Sequence, residues 1–284
     1  MYERNTSNNQ GRGCRLSMGR ILIALVIVGA SLATYFASSE FNPVTQETQQ
    51  VALSQEQEIA LGLQAVPEME QMHGGLLRDE AVQAYVDDIC SKLIRGSALG
   101  ETDWPFECHV LADTQTINAF ALPGGQVFIT AGLFNQLETE GQLASVLAHE
   151  MGHVVARHAA EQLAEQQLAQ GLTGAAAMAA YDPQNPNSGL TARQLSALVA
   201  NLVTLKYGRD DELQSDELGV RFLVDTGYDP RAMEQLMGIL STTGPSSQPP
   251  EFFSTHPNSQ DRIARIREAI QAVYPDGIPA GLVS

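Results

Sequence analysis

The chain has 284 residues and a formal net charge of −17, from 33 acidic against 16 basic side chains. Such an acidic surface repels nucleic acid and anionic headgroups, and neither a basic patch nor a phosphate-binding glycine loop offsets it. The length beyond residue 39 suits one domain with a sizeable core.

The first twenty residues carry Arg4, Arg12, Arg15 and Arg20 against Glu3. Residues 21–39 then hold no charge and open with a strongly apolar run, Ile21 to Val28. That stretch is just long enough to span a bilayer. With the arginines before it and Glu40 after it, the positive-inside rule keeps residues 1–20 in the cytoplasm and exports the chain from Glu40 onward. The expectation is a single-pass inner-membrane anchor with an extracytoplasmic, periplasmic domain. The alternative is a signal peptide cleaved after Ala37-Ser38-Ser39, which releases the domain to the periplasm. Cys90 and Cys108 then share an oxidising compartment, either as a disulfide or as two buried thiols.

Residues 40–53, rich in Gln and Thr, read as a polar linker. Ser54 and Gln57 mark a capped helix start, and a second helix is expected over about 79–94. A β region comes next, over about 104–131. Within it residues 118–130 read as a hairpin, with Pro123-Gly124-Gly125 as the turn and Val127, Phe128 and Ile129 as strand formers. The next helix starts at Thr139 and Gln142, a T-x-x-Q capping box, and is expected to run on into the Ala- and Gln-rich stretch 159–180. Residues 181–189 break the pattern and are either a mobile lid or a plain connection. Helices over about 191–206, 210–226, 230–242 and 259–273 complete the chain, with a loop over 244–250 and a tail over 275–284.

The chemistry starts at His149-Glu150-Met151-Gly152-His153, an H-E-x-x-H sequence. On a helix His149 and His153 stand one turn apart on one face and can bind one Zn²⁺ through ring nitrogens. Glu150, the next residue, can take a proton from a water that the metal acidifies. Leu143, Val146, Leu147 and Val154 supply the apolar stripe of such a helix. Two histidines and a glutamate there without a metal would be expensive to bury. A hydrolytic zinc site needs a third ligand, and Glu212 is the candidate. Glu212, Asp216 and Gly219 share one face of a predicted helix. Asp216 can accept the free N–H of a ligating histidine, and Gly219 lets another helix approach. Read alone, Glu212 and its acidic neighbours are equally well a solvated helix face.

Four stretches in this order resemble the zinc metallopeptidase family that holds the HtpX heat-shock, CAAX prenyl, mitochondrial Oma and BepA-type proteases, peptidase family 48 of the metallopeptidases. They are Asn118-Ala119-Phe120-Ala121-Leu122-Pro123-Gly124-Gly125 leading into Val127-Phe128-Ile129; His149 to His153 with His158; Glu212-x-x-x-Asp216-x-x-Gly219; and Ser254-Thr255-His256-Pro257 with Arg262-Ile263. The resemblance covers roughly residues 50–274 and makes Glu212 the expected third ligand. Ser215 departs from the family's usual alanine. Further spanning helices and a helical repeat tail are not seen in the sequence, so the resemblance is closest to stand-alone, extracytoplasmic bacterial members.

The resemblance implies an α+β, mainly α, zincin-like domain over 54–274, with a small β-sheet beside the active-site helix. It implies one Zn²⁺ per chain on His149, His153 and Glu212, with Glu150 catalytic. The Val127–Thr130 segment (Val127, Phe128, Ile129, Thr130) is the candidate edge strand for pairing with substrate backbone. His256 either donates to the oxyanion as a catalytic group or, as in some relatives, caps the zinc as a silencing fourth ligand. Arg262 pairs with Asp216 or serves the oxyanion. His158, five residues after His153, is expected to point away from the metal face and to be structural, and His73 and His109, with no partner evident in the sequence, are read as surface or core residues. The expected function is hydrolysis of internal peptide bonds in misfolded or misassembled envelope proteins. The alternatives are a chaperone-like client-binding module whose zinc is silenced by His256, and a structural zinc domain.

Overall fold

The computed structural model describes residues 18–180, 207–242, 250–257 and 261–284. The loop expected over 181–189, the helix over 191–206 and most of the 244–250 loop lie outside them.

Helix α1 (Met18–Ala37) covers the apolar run, but strand β1 (Ser39–Asn42) begins almost at once. Among the described residues no helix is long and apolar enough to cross a membrane.

The linker expected over 40–53 is instead a hairpin. β1 pairs antiparallel with β2 (Glu47–Gln50), Ser39 opposite Gln50. Its amide side chains have distant partners that local composition does not reveal. Asn42 Nδ2 donates to the carbonyl of Val155 (2.7 Å) and Gln49 Nε2 to that of Ala156 (2.6 Å). These carbonyls end helix α5 (Glu140–Val155), so the hairpin caps the C-terminus of the H-E-x-x-H helix.

Helix α2 (Gln55–Met72) starts at Ser54 with the expected reciprocal cap on Gln57, and α3 (Glu80–Gly96) starts at Asp79. The β region forms β3 (Glu107–Leu111), β4 (Ala119–Leu122) and β5 (Gln126–Thr130) in the order β3-β5-β4. β4 and β5 make the expected hairpin. β3, however, pairs parallel with the other side of β5, Cys108 opposite Val127. The edge-strand expectation for Val127, Phe128, Ile129 and Thr130 is therefore corrected: β5 is the central strand and every one of its residues is buried. A parallel partner arrives by a crossover and leaves no local signature. The edge beside the site is β4.

Alternate residues of the sheet pack on its two opposite faces. Leu122 and Phe128 pack with Ala65 and Met69 of α2, while Ala119, Val127 and Ile129 join the main core with α3 and α5. Cys90 of α3 and Cys108 of β3 are joined by a disulfide. A short helix α4 (Ala131–Phe134) leads to α5, whose Thr139 accepts from Gln142 N. The Gln142 side chain turns to Glu138 N, so only half of the expected capping box forms.

The expected continuous helix is broken after α5. Arg157 has φ +57, a left-handed conformation costing about 1–3 kcal/mol outside glycine. Its guanidinium is held by Glu58 (2.8 Å), Glu40 (2.7 Å) and the carbonyl of Leu53 (2.7 Å). Helix α6 (His158–Ala180) starts at the next residue and packs along α1. Behind α5 lie α7 (Arg209–Asp225), α8 (Arg231–Thr242) and α10 (Arg262–Val273), with a short α9 (Phe252–Thr255) before His256. Gly227, φ +78, ends α7 as expected, and the tail docks there through Val283 and the backbone of Gly227 and Asp229.

Candidate metal centre

Helix α5 sits wholly inside the core, and α7 lies against it. A Cβ on Gly152 would crowd the Ser215 backbone oxygen at 3.1 Å, so glycine eases the approach of α7 there. At Gly219 the close neighbour is on a different helix: a Cβ would lie 2.6 Å from Met233 Cε of α8, while the His149 backbone nitrogen, at 3.4 Å, is an ordinary contact. Packed in this way, α7 sets Glu212 and Asp216 on the histidine face of α5.

His149 Nε2 lies 3.1 Å from His153 Nε2 and 3.5 Å from Glu212 Oε2, while Glu212 Oε1 is 3.4 Å from His153 Nε2. His256 brings a fourth donor: its Nδ1 is 3.0 Å from Glu212 Oε1 and 3.3 Å from His149 Nε2. All four residues are buried, and one donor atom from each lies within 4.8 Å of every other. Tetrahedral coordination with bonds of about 2.0–2.1 Å sets donors roughly 3.3 Å apart. Three imidazoles and a carboxylate at these separations fit one divalent ion.

Glu150 is fully buried, and neither carboxylate oxygen has a hydrogen-bond partner among the described residues. His256 Nε2 lies 3.5 Å from Glu150 Oε1. Burial pushes the Glu150 carboxyl above its ordinary range, against the pull of His256 and His149. A partnerless buried carboxylate is costly, and beside a cluster of donors it marks a place for chemistry. Both nitrogens of His256 thus face groups of the site.

The remaining groups are tied down. His149 Nδ1 stands 3.0 Å from Asp216 Oδ1. Arg262 grips Asp216 through Nε and Nη2, both at 2.7 Å, and sets Nη1 2.7 Å from Glu212 Oε2. Burial pushes Asp216 up, but the Arg262 guanidinium holds its carboxyl below the usual range. Burial likewise opposes a charged His149, yet Asp216 and Glu212 lift it to about 9. His153 goes the other way, well below its ordinary value, because burial outweighs Glu212.

Two neighbours were not legible. Tyr207 stacks on His153 with ring centroids 3.8 Å apart and planes at 16°. A lone aromatic before the start of α7 carries no pattern that points to the site. His158, expected to point away, puts Nδ1 2.8 Å from His153 Nδ1. The five-residue spacing misleads because the break at Arg157 resets the helix. His73 pairs with Asp113 (3.2 Å), and His109 stays remote, bonded to Gln126 (2.8 Å).

A narrow cavity of about 60 Å³ opens beside His256, walled by Asn118, Phe120, Ala121, Tyr207, Met69 and His73 among others. Asn118 Oδ1 is buried there without a hydrogen-bond partner among the described residues. Asn118, Phe120 and Leu122 bond towards β5, so the amides of Ala119 and Ala121 turn to the outer edge of β4, which pairs with no further strand among the described residues.

The sequence matches peptidase family M48 over residues 80–270. The beta-barrel assembly-enhancing protease of Escherichia coli is 29% identical over 259 residues, covering 89% of this chain and 52% of that protein. A putative beta-barrel assembly-enhancing protease of Vibrio cholerae is 32% identical over 210 residues, 70% of this chain and 41% of its own. The mitochondrial metalloendopeptidase OMA1 of Schizosaccharomyces pombe is 31% identical over 238 residues, 82% of this chain and 67% of its own. The chain spans about half the length of the assembly-enhancing proteases it matches.

Proposed function

The chain belongs to peptidase family M48, and on that premise we propose that it is a zinc metalloendopeptidase cleaving internal peptide bonds. One observation carries the reading: His149, His153 and Glu212 converge beside a fully buried carboxylate, Glu150, that has no hydrogen-bond partner among the described residues. His149, His153 and Glu212 would hold a zinc ion, which would supply Lewis acidity to the scissile carbonyl and to the attacking water. Glu150 takes that water's proton and passes it to the leaving amine, and its raised proton affinity suits both transfers. Arg262, committed to Asp216 and Glu212, orients ligands rather than serving the oxyanion.

Substrate backbone pairs with the free edge of β4, and the cavity beside Phe120 and Tyr207 takes a side chain. His256 Nδ1, 3.0 Å from Glu212 Oε1, supports His256 as a fourth ligand that would hold the enzyme latent, and the alternative role is a donor to the oxyanion. The relatives' names, with their reference to β-barrel assembly and to mitochondria, support misfolded or misassembled envelope proteins as substrates. The Cys90–Cys108 disulfide supports an oxidising, extracytoplasmic compartment. The exposed Leu22, Leu25, Val26 and Phe36 of α1 support attachment to a membrane through that helix.

The test is Glu150→Gln, which retains zinc and loses cleavage of an unfolded protein such as casein by at least about 10²-fold. Undiminished cleavage defeats the proposal. His256→Ala separates the two forms of the reading: a rise in cleavage supports the latent enzyme, and loss of cleavage assigns His256 a catalytic part.

A further inference from the structure

His158 is 1% exposed, and its two nitrogens bond to His153 Nδ1 and Gln214 Oε1, in a hydrogen-bonded row that runs from His153 out to Glu47 at the surface. The direction of every proton in that row is set at its outer end. The carboxylate of Glu47, on β2, only accepts, and Gln214 Nε2 donates to it at 2.7 Å. Gln214 Oε1 is therefore turned inward, 2.8 Å from His158 Nε2, and an amide oxygen only accepts. His158 Nε2 must carry the proton. A neutral imidazole protonated there has a bare Nδ1. That lone pair faces His153 Nδ1 at 2.8 Å, so His153 donates from Nδ1. The lone pair of His153 then lies on Nε2, the atom turned towards His149 and Glu212.

We propose that His158, backed by Gln214 and Glu47, is a positioning residue that fixes His153 as the Nδ1–H tautomer and so presents its Nε2 lone pair to the divalent metal. The proposal rests on the metal-site reading above. The row supplies direction without placing a charge on the ring, and the stacked Tyr207 keeps the His153 plane from turning. It also runs from the N-terminal hairpin into the site, so β2 orients a ligand that lies on a different element.

The test is zinc affinity, measured on the metal-free full chain by competition with a chromophoric chelator. His158→Phe keeps a ring of similar size but offers no acceptor, and the expected loss is about 10–100-fold. His158→Asn lacks the ring but sets an amide oxygen near the place of Nδ1, and most of the affinity is expected to return. A purely structural role predicts the reverse order, because Phe fills the core better. Wild-type affinity in His158→Phe, or equal losses in Phe and Asn, overturns the proposal. If His158→Phe does not fold, Gln214→Leu decides: a several-fold loss upholds the relay and unchanged affinity overturns it. A wild-type chain that takes up no zinc overturns the metal-site reading together with the relay, whereas zinc-binding wild type with an unchanged variant overturns the relay alone.

Discussion

His149 and His153 leave one helix a turn apart, but they are backed in opposite ways. Behind His149 stands a charged pair, Asp216 and Arg262, sealed between α7 and α10. Behind His153 stands a neutral imidazole and an amide, running out to Glu47 at the surface. Burial opposes a charged His149, but Asp216 and Glu212 together lift its proton affinity to about 9, whereas burial keeps His153 well below its ordinary value. Charge is used where a second ion neutralises it within the core. Where the row reaches solvent, orientation is achieved with dipoles, at lower desolvation cost.

The comparison breaks most visibly at Asp216. Asp216→Ala leaves Arg262 buried with one carboxylate contact fewer, and the expected loss is about 3–5 kcal/mol of stability together with zinc binding. Thermal unfolding of the metal-free chain measures this; a melting temperature equal to wild type would mean that the pair is not a support. Asp216→Asn is milder. It keeps an acceptor for His149, so zinc affinity is expected to fall about 10–100-fold while the chain still folds. Combining Asp216→Asn with His158→Phe sharpens the contrast. If the supports act on separate ligands, the two fold-losses multiply, and a double variant no worse than the weaker single one would show a shared path.

The smallest effect concerns the hairpin that carries Glu47. It is tied to Arg157, which also pairs with the buried Glu58. Burial raises Glu58 from 4.5 to about 7, against the Arg157 charge. The folded chain therefore holds this proton to higher pH than the unfolded chain. Stability from Glu58 is complete below about pH 4.5 and declines as pH rises towards 7. Glu58→Gln is expected to flatten its part of that decline in a series of melts between pH 4.5 and 7. An unchanged slope would exclude Glu58 as its source.

Local chemistry was legible in the sequence wherever one element contained the whole signal. The cap at Ser54, the stop at Gly227, the hairpin turn at Pro123-Gly124-Gly125 and the face shared by Glu212, Asp216 and Gly219 all depend on spacings within a few residues. The features that escaped depend on distant partners. β5 became central because β3 joins it in parallel, which moved the edge to β4. Residues 40–53 became a hairpin because Asn42 and Gln49 find carbonyls more than a hundred residues away. His158 entered the site because Arg157, held in a left-handed conformation by Glu40 and Glu58, bends the chain back. Tyr207 had no pattern at all.

X-ray absorption at the zinc edge of the purified full chain, read together with its metal content, tests the central claim most directly. One zinc per chain, bound by imidazole nitrogens and a carboxylate oxygen with no sulfur, is the predicted result. A chain that retains no metal, or whose metal sits among sulfur ligands, would contradict it.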